Sequence, residues 1–202
     1  PLHPVLVSGG IVTSSDDRYG SVSVVIPMFN AGLWIGEALA SVVGQSHPVS
    51  ECVVVDDGST DDGPTVVEEF AASSSLPVHL LRISHVGVSG ARNAGIRATV
   101  GDYVAFLDSD DVWAPQKIER QVEAMRRSAA VMSTTGYALF DSATRTVQGV
   151  VVGRWPDWTI RRWLALEGNG LLLSSTGLVR RSALEEVNEF DSRVSICEDL
   201  DL

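Results

Sequence analysis

Apolar residues follow two alternating rhythms along the first half of the chain. Ser21-Val22-Ser23-Val24-Val25-Ile26 is a short β-branched run that predicts a buried strand halted by Pro27. After the turn Met28-Phe29-Asn30-Ala31-Gly32, apolar residues recur at Ile35, Ala38, Leu39, Val42 and Val43, a spacing that predicts an amphipathic helix. Cys52-Val53-Val54-Val55 predicts a second buried strand, broken by Asp56-Asp57-Gly58-Ser59-Thr60. Gly63-Pro64 then opens a helix with Val66, Val67, Phe70 and Ala71 inward, since proline is favoured in the first turn. His79–Ile83 reads as a weaker third strand, and a Gly/Ser loop leads into a helix over Ala91–Ala98. Tyr103–Leu107 is a fourth strand, ending in Asp108-Ser109-Asp110-Asp111. Uniformly apolar strands alternating with helices predict an α/β fold: right-handed crossovers and a mostly parallel central sheet with helices on both faces.

The rhythm changes after Pro115. Ile118, Val122 and Met125 mark a further helix, and residues 131–152 alternate around the turn Asp141-Ser142, predicting antiparallel strands. Asp157 is placed to cap a helix carrying Ile160, Trp163 and Leu164 and ended by Gly168. Leu171–Val179 returns to strand character, and Ser182-Ala183-Leu184-Glu185 fits a capping box that opens a short helix. Trp155, Trp158 and Trp163 belong either to the core or to the wall of a binding site. Residues 1–20 show turn formers without period and read as a tail, leaving 21–202 as one domain, with a first half over 21–113 and a second over 114–202.

Charge narrows the function. Fifteen Lys and Arg against 26 Asp and Glu give a net charge of −11, which argues against nucleic acid as a partner, because phosphate backbones demand clustered basic groups. Two cysteines, Cys52 and Cys197, cannot make a disulfide framework or a cysteine-rich zinc site. No apolar run approaches the roughly 18 residues that span a bilayer, and no basic-then-apolar leader opens the chain. The expectation is a cytoplasmic enzyme without a transmembrane segment in this chain, or one peripheral to the inner face of the membrane.

The candidate chemistry lies at strand ends. Ligands of open α/β sheets bind beyond the carboxyl ends of the parallel strands. Here those ends carry Pro27-Met28-Phe29-Asn30, Asp56-Asp57 and Asp108-Ser109-Asp110-Asp111. Acids gathered on one sheet edge repel, so something positive belongs there. A hard divalent cation with oxygen ligands meets that need, and Mg²⁺ typically takes one or two carboxylates plus substrate phosphates. Asp108 and Asp110 are therefore read as metal or ribose ligands, the alternative being a solvated acidic turn. Gly87-Val88-Ser89-Gly90-Ala91-Arg92-Asn93-Ala94-Gly95 lets backbone approach an oxyanion, and Arg92 offers a planar fork for phosphate, although the glycines fit ordinary turns equally well. Neither a dinucleotide fingerprint nor a P-loop is present.

Four segments carry a resemblance. Val24–Asn30, Val53–Asp61, Ala91–Gly95 and Phe106–Asp111 occur in the order and spacing of family 2 glycosyltransferases, and the likeness runs on through Ser175–Arg181 to Glu198-Asp199. The resemblance implies a GT-A fold and transfer of a sugar from a nucleotide diphosphate, most simply a UDP-sugar, with inversion at the anomeric carbon. It further implies that Pro27, Phe29, Asn30 and Asp57 contact base and ribose, and that Arg92 lies near the nucleotide. Asp108 and Ser109 would belong to the donor site, and Asp110 would bind the Mg²⁺ or Mn²⁺ that bridges the phosphates. Asp199 would be the base that deprotonates the acceptor hydroxyl, with Glu198 flanking it. Secondary candidates are His85, beside the glycine loop, and Trp113, which either stacks on a sugar or anchors the next helix. Acceptors across the family are polysaccharides, lipids and proteins. Two alternatives stay open: a nucleotide-sugar-binding module without turnover, and a sugar nucleotidyltransferase, for which Pro27–Gly32 lacks the glycine-rich, arginine-bearing loop. Where the family often has Gly-Gly-Phe-Asp before the base, this chain has Asn188-Glu189-Phe190-Asp191, and it stops at Leu202, soon after Asp199.

Overall fold

Six strands build one sheet in the order β3-β2-β1-β4-β8-β5. The structure is a computed structural model that describes residues 20–141, 144, 146–151, 174–187 and 189–190. The elements of the first half are β1 (Val22–Met28), α1 (Ile35–Val43), β2 (Glu51–Asp56), α2 (Gly63–Ser73), β3 (Val78–Arg82), α3 (Val88–Ala98) and β4 (Tyr103–Phe106). The second half has α4 (Lys117–Ser128), β5 (Met132–Thr134), β6 (Tyr137–Phe140), β7 (Val147–Val151), a 3₁₀ turn over Ser174–Thr176, β8 (Gly177–Arg180) and α5 (Arg181–Val187). β1 pairs in parallel with β2 and β4, and β2 with β3. β8 runs antiparallel to β4 and to β5, while β6 and β7 form a separate antiparallel pair.

Alternation along β1 divides the core. Val22, Val24, Ile26 and Met28 pack on one face with Ile35, Ala38, Leu39 and Val42 of α1, Val67 of α2, and Ile118, Val122 and Met125 of α4. Val25 faces the other way, into a cluster with Ala91 and Ile96 of α3 and Ala183 and Leu184 of α5. Both faces of every strand near the centre are therefore dry, which is why those strands read as continuous apolar runs. Gly95 lets α3 lie directly on the sheet: a Cβ there would come within 2.3 Å of Val25 Cγ1.

The chain travels outward from β1 through β2 to β3, then returns through α3 on the opposite face to enter β4 on the far side of β1. That reversal leaves a crevice at the carboxyl ends of β1 and β4, where open α/β sheets bind ligands.

Several sequence expectations need correction. β1 is not halted by Pro27 but continues to Met28. Met28 O accepts the Asp57 N–H on the β2 side and Val25 O accepts the Leu107 N–H on the β4 side, so Pro27 shares the β4-facing parity. Pro27 has no N–H to give, and the β4 ladder ends before it, its last pair being Val25 with Phe106, while pairing with β2 runs on to Met28. The Gly/Ser segment before Ala91 is not all loop, because α3 begins at Val88. Ser174–Thr176 forms a 3₁₀ turn inside the stretch expected to be strand, and Ser182 lies within α5 instead of ahead of it. The helix around Ile160 and Trp163, the tail before Gly20, Trp155, Trp158, Leu171–Leu173, Cys197, Glu198 and Asp199 lie outside the described residues.

One buried group makes stability depend on pH. Lys117, at the start of α4, is 7% exposed. Its ammonium donates to Gln121 Oε1 at 2.7 Å and sits 4.1 Å from the Trp113 ring centroid. Burial lowers its pKa from the ordinary 10.5 to about 7. Between those values the unfolded chain holds a proton that the native state has released, so stability rises with pH across this window. The slope approaches at most about 1.4 kcal/mol per pH unit. Denaturant unfolding of wild type and Lys117→Met from pH 7 to 10 checks this: the variant should lose the rise, and an identical rise in both would exclude Lys117 as its source.

Candidate functional site

Three neighbouring parallel strands deliver the site to one rim. β2 ends in Asp56-Asp57, β1 in Phe29-Asn30 and β4 in Asp108-Ser109-Asp110-Asp111, and β1 lies between the other two. The acids of these three strand ends thus share the carboxyl edge of the sheet.

On the β1–β2 side, polar groups lace two loops together. Asn30 takes a left-handed φ of 51°, which asparagine tolerates better than most residues. Its N–H donates to Ser59 Oγ, and its Oδ1 accepts the Thr60 N–H at 2.8 Å. Asp56 Oδ1 accepts the Ser59 N–H at 2.9 Å. Asp57 is 3% exposed. Its two carboxylate oxygens accept the N–H groups of Val86 and Gly87, each at 2.8 Å, at the entrance to α3. Gly87 supplies the φ of 83° that this entrance requires. His85 Nδ1 stands 3.0 Å from Asp57 Oδ2, and its ring leans on Phe29 with centroids 4.5 Å apart. Phe29 is half exposed, so the Phe29–His85 pair presents an aromatic surface above Asp57.

On the β4 side, the charge of Arg92 is spent inside the protein. Arg92 is 5% exposed, and one terminal nitrogen donates to Asp108 Oδ1 and to Ser174 Oγ, each at 2.7 Å. Its Nε is buried and has no hydrogen-bond partner among the described residues, and its guanidinium lies 5.6 Å from the Phe190 ring centroid. The positive group that answers Asp108 is therefore part of the fold.

The rest of the acidic turn is less balanced. Asp110 is exposed and Ser109 half-buried. Burial first, and then the charges of Asp108 and Asp110, push the Asp111 carboxyl up to about 6, against the lowering effect of a hydrogen bond with Ser175. The three carboxylates of the turn thus lie close enough for Asp108 and Asp110 to act on the charge of Asp111. Hard oxygen donors in that setting suit a divalent cation completed by substrate phosphates. Among the described residues, no three His, Cys, Asp or Glu side chains converge into a closed cage.

Trp113 packs between Ser175 and Lys117. It is buried, its indole N–H donates to Ser175 O at 2.9 Å, and its ring carries the Lys117 ammonium. Ser174, not singled out from the sequence, and Ser175, there only the start of the resembling segment, are both buried against the acidic turn. The available signal was their polarity within the apolar stretch Leu171–Val179. Glu189, in the segment that departs from the family's Gly-Gly-Phe-Asp, adopts a left-handed φ of 62° and pairs with Arg97.

Known proteins resemble this chain in sequence and in fold. The family model described as glycosyl transferase family 2 matches residues 23–187. An uncharacterized glycosyltransferase of Nostoc sp. is 34% identical over 173 residues, covering 84% of this chain and 54% of that protein. The Escherichia coli UDP-Glc:alpha-D-GlcNAc-diphosphoundecaprenol beta-1,3-glucosyltransferase WfgD is 36% identical over 108 residues, 53% of this chain and 42% of its own length. The crystal structure of S. aureus TarS 1–349 in complex with UDP superposes with a TM-score of 0.69 at 23% identity, covering 89% of this chain and 52% of that one. This last likeness is one of fold. The chain spans about half the length of these proteins.

Proposed function

The chain belongs to glycosyl transferase family 2, with a GT-A architecture, and on that premise we propose that it transfers a sugar from a UDP-sugar to an acceptor hydroxyl, with inversion at the anomeric carbon. The observation that carries this reading is the convergence of Asn30, Asp57 and the Asp108–Asp111 turn on one rim. A UDP donor is supported by the substrate in the printed name of WfgD.

The proposed roles follow from charge and position. Phe29 and His85 present a flat surface for the base, beside Pro27, Asn30 and the buried carboxylate of Asp57. Asp108 is held rigid by Arg92, so Arg92 acts on the donor through Asp108. Asp110, with Asp108 and Asp111 beside it, would hold Mg²⁺ or Mn²⁺. Such an ion supplies neutralisation of the negative charge that gathers on the departing diphosphate. Direct displacement needs a base on the face of the sugar opposite that leaving group. Asp199, with Glu198 flanking it, is proposed to take the acceptor proton there. The acceptor is a carbohydrate, lipid or protein hydroxyl. No helix among the described residues is long and apolar enough to cross a membrane. A cytoplasmic location, or one peripheral to the inner face of the membrane, accompanies this reading.

Ligand that binds only the native state raises its melting temperature. A thermal-shift series with UDP, GDP, UDP-glucose and UDP-GlcNAc, each with and without Mn²⁺, is expected to give the largest rise with a uridine nucleotide plus Mn²⁺. A flat profile across all of them would overturn the donor reading.

A further inference from the structure

The antiparallel register of β4 and β8 pairs Ala105 with Leu178, so the residues just before β8 arrive beside the residues just after β4. Those residues are Ser174 and Ser175 of the 3₁₀ turn, contributed by the second half of the chain to the acidic rim of the first. Ser174 Oγ lies 2.9 and 2.7 Å from the two oxygens of Asp108 and accepts the Arg92 N–H at 2.7 Å. A hydroxyl has one proton and two lone pairs, so it can donate to Asp108 and accept from Arg92 at once. Ser175 Oγ accepts the backbone N–H of Asp108 at 2.9 Å and is hydrogen-bonded to the Asp111 side chain. The turn is itself pinned from behind. Ser175 O accepts the Trp113 indole N–H, and Thr176 O accepts the amide of Gln121, the residue that also receives the Lys117 ammonium.

We propose that Ser174 and Ser175 are positioning residues that grip Asp108 and Asp111 on either side of Asp110, so that the cation-dependent affinity of the donor site is set by hydroxyls from the other half of the domain. This rests on the donor-site reading above. Asp108 without Ser174 keeps its partner Arg92 but loses the contact that fixes its second oxygen. Asp111 without Ser175 loses the hydrogen bond that orders it. Asp110, between them, then no longer sits on a rigid turn.

The test measures UDP affinity by calorimetry, with and without Mn²⁺, for the full chain and for Ser174→Ala, Ser174→Thr, Ser175→Ala and Asp108→Asn, with circular dichroism to establish that each variant folds. Ser174→Ala is expected to weaken Mn²⁺-dependent UDP binding about ten-fold, the scale of a lost hydrogen bond to a charged group, and to leave Mn²⁺-free binding unchanged. Ser174→Thr, which keeps the hydroxyl, should restore it; a merely structural role would not give that metal-specific loss and rescue. Wild-type affinity in Ser174→Ala, alongside weakened binding in Asp108→Asn, overturns the inference while leaving the donor site intact. Unaltered binding in Asp108→Asn as well overturns the donor-site reading and the inference with it. Should the threonine methyl prevent folding in this buried spot, Ser175→Ala provides the second reading, and wild-type Mn²⁺-dependent affinity there counts against the grip.

Discussion

Replacing Arg92 with leucine is expected to lower unfolding free energy by about 2–4 kcal/mol, somewhat less than the roughly 3–5 kcal/mol for removing one partner of a fully buried ion pair. The cost arises on Asp108. Its side chain is only 28% exposed, and it would remain a carboxylate facing two serines with no cation. That partial exposure keeps the expected cost below the full penalty of a sealed site, because water can reach one side of the group. Arg92→Lys keeps a charge but loses the fork, and should fall between leucine and wild type. Urea unfolding of Arg92→Leu, Asp108→Asn and the double variant measures the pair directly. The double variant should be more stable than the sum of the two losses predicts, since Asp108→Asn removes the charge that Arg92→Leu strands. Strict additivity would mean that the 2.7 Å contact carries no coupling.

Asp199→Asn is expected to leave UDP-sugar binding unchanged and to lower sugar transfer by about 10²–10⁴-fold, the usual contribution of a positioned general base. An amide keeps the size of the side chain and removes its ability to accept a proton at neutral pH. Donor binding is therefore the internal control. Steady-state transfer, with donor affinity measured separately, makes the distinction: wild-type turnover in the variant would exclude Asp199 as the base. Loss of donor binding in parallel with turnover would move Asp199 into the donor site.

What the sequence disclosed follows physical lines. Strands β1, β2 and β4 were legible because burial on both faces removes polar residues altogether, leaving Val24–Ile26, Val53–Val55 and Val104–Phe106 as unbroken signals. Pro27 misled because a proline ordinarily stops a strand, whereas here it ends only the ladder to β4 and the pairing with β2 runs on to Met28. The first turn of α3 was hidden by Ser89 and Gly90, which offer neither period nor helix propensity, while the turn is fixed by its position after the Asp57-bound loop. Site residues divided in the same way. Acids at strand ends could be gathered from sequence once the strands were known to be parallel and adjacent. What answers them could not. Arg92 read as a planar fork for phosphate, and the Asp108 and Ser174 that it bonds in the fold stand 16 and 82 positions away. Asp57, likewise, is satisfied by backbone N–H groups of Val86 and Gly87, which no side-chain pattern displays.

A donor site built around Asp110 requires nucleotide binding to depend on a divalent cation. Calorimetric titration of UDP into wild type and Asp110→Ala, with Mn²⁺ and with EDTA, isolates that dependence. Wild type should bind UDP markedly more tightly with Mn²⁺ than with EDTA, and Asp110→Ala should bind with the weaker affinity in both. Equal affinities for wild type with and without Mn²⁺, or an undiminished Mn²⁺ effect in Asp110→Ala, would contradict it.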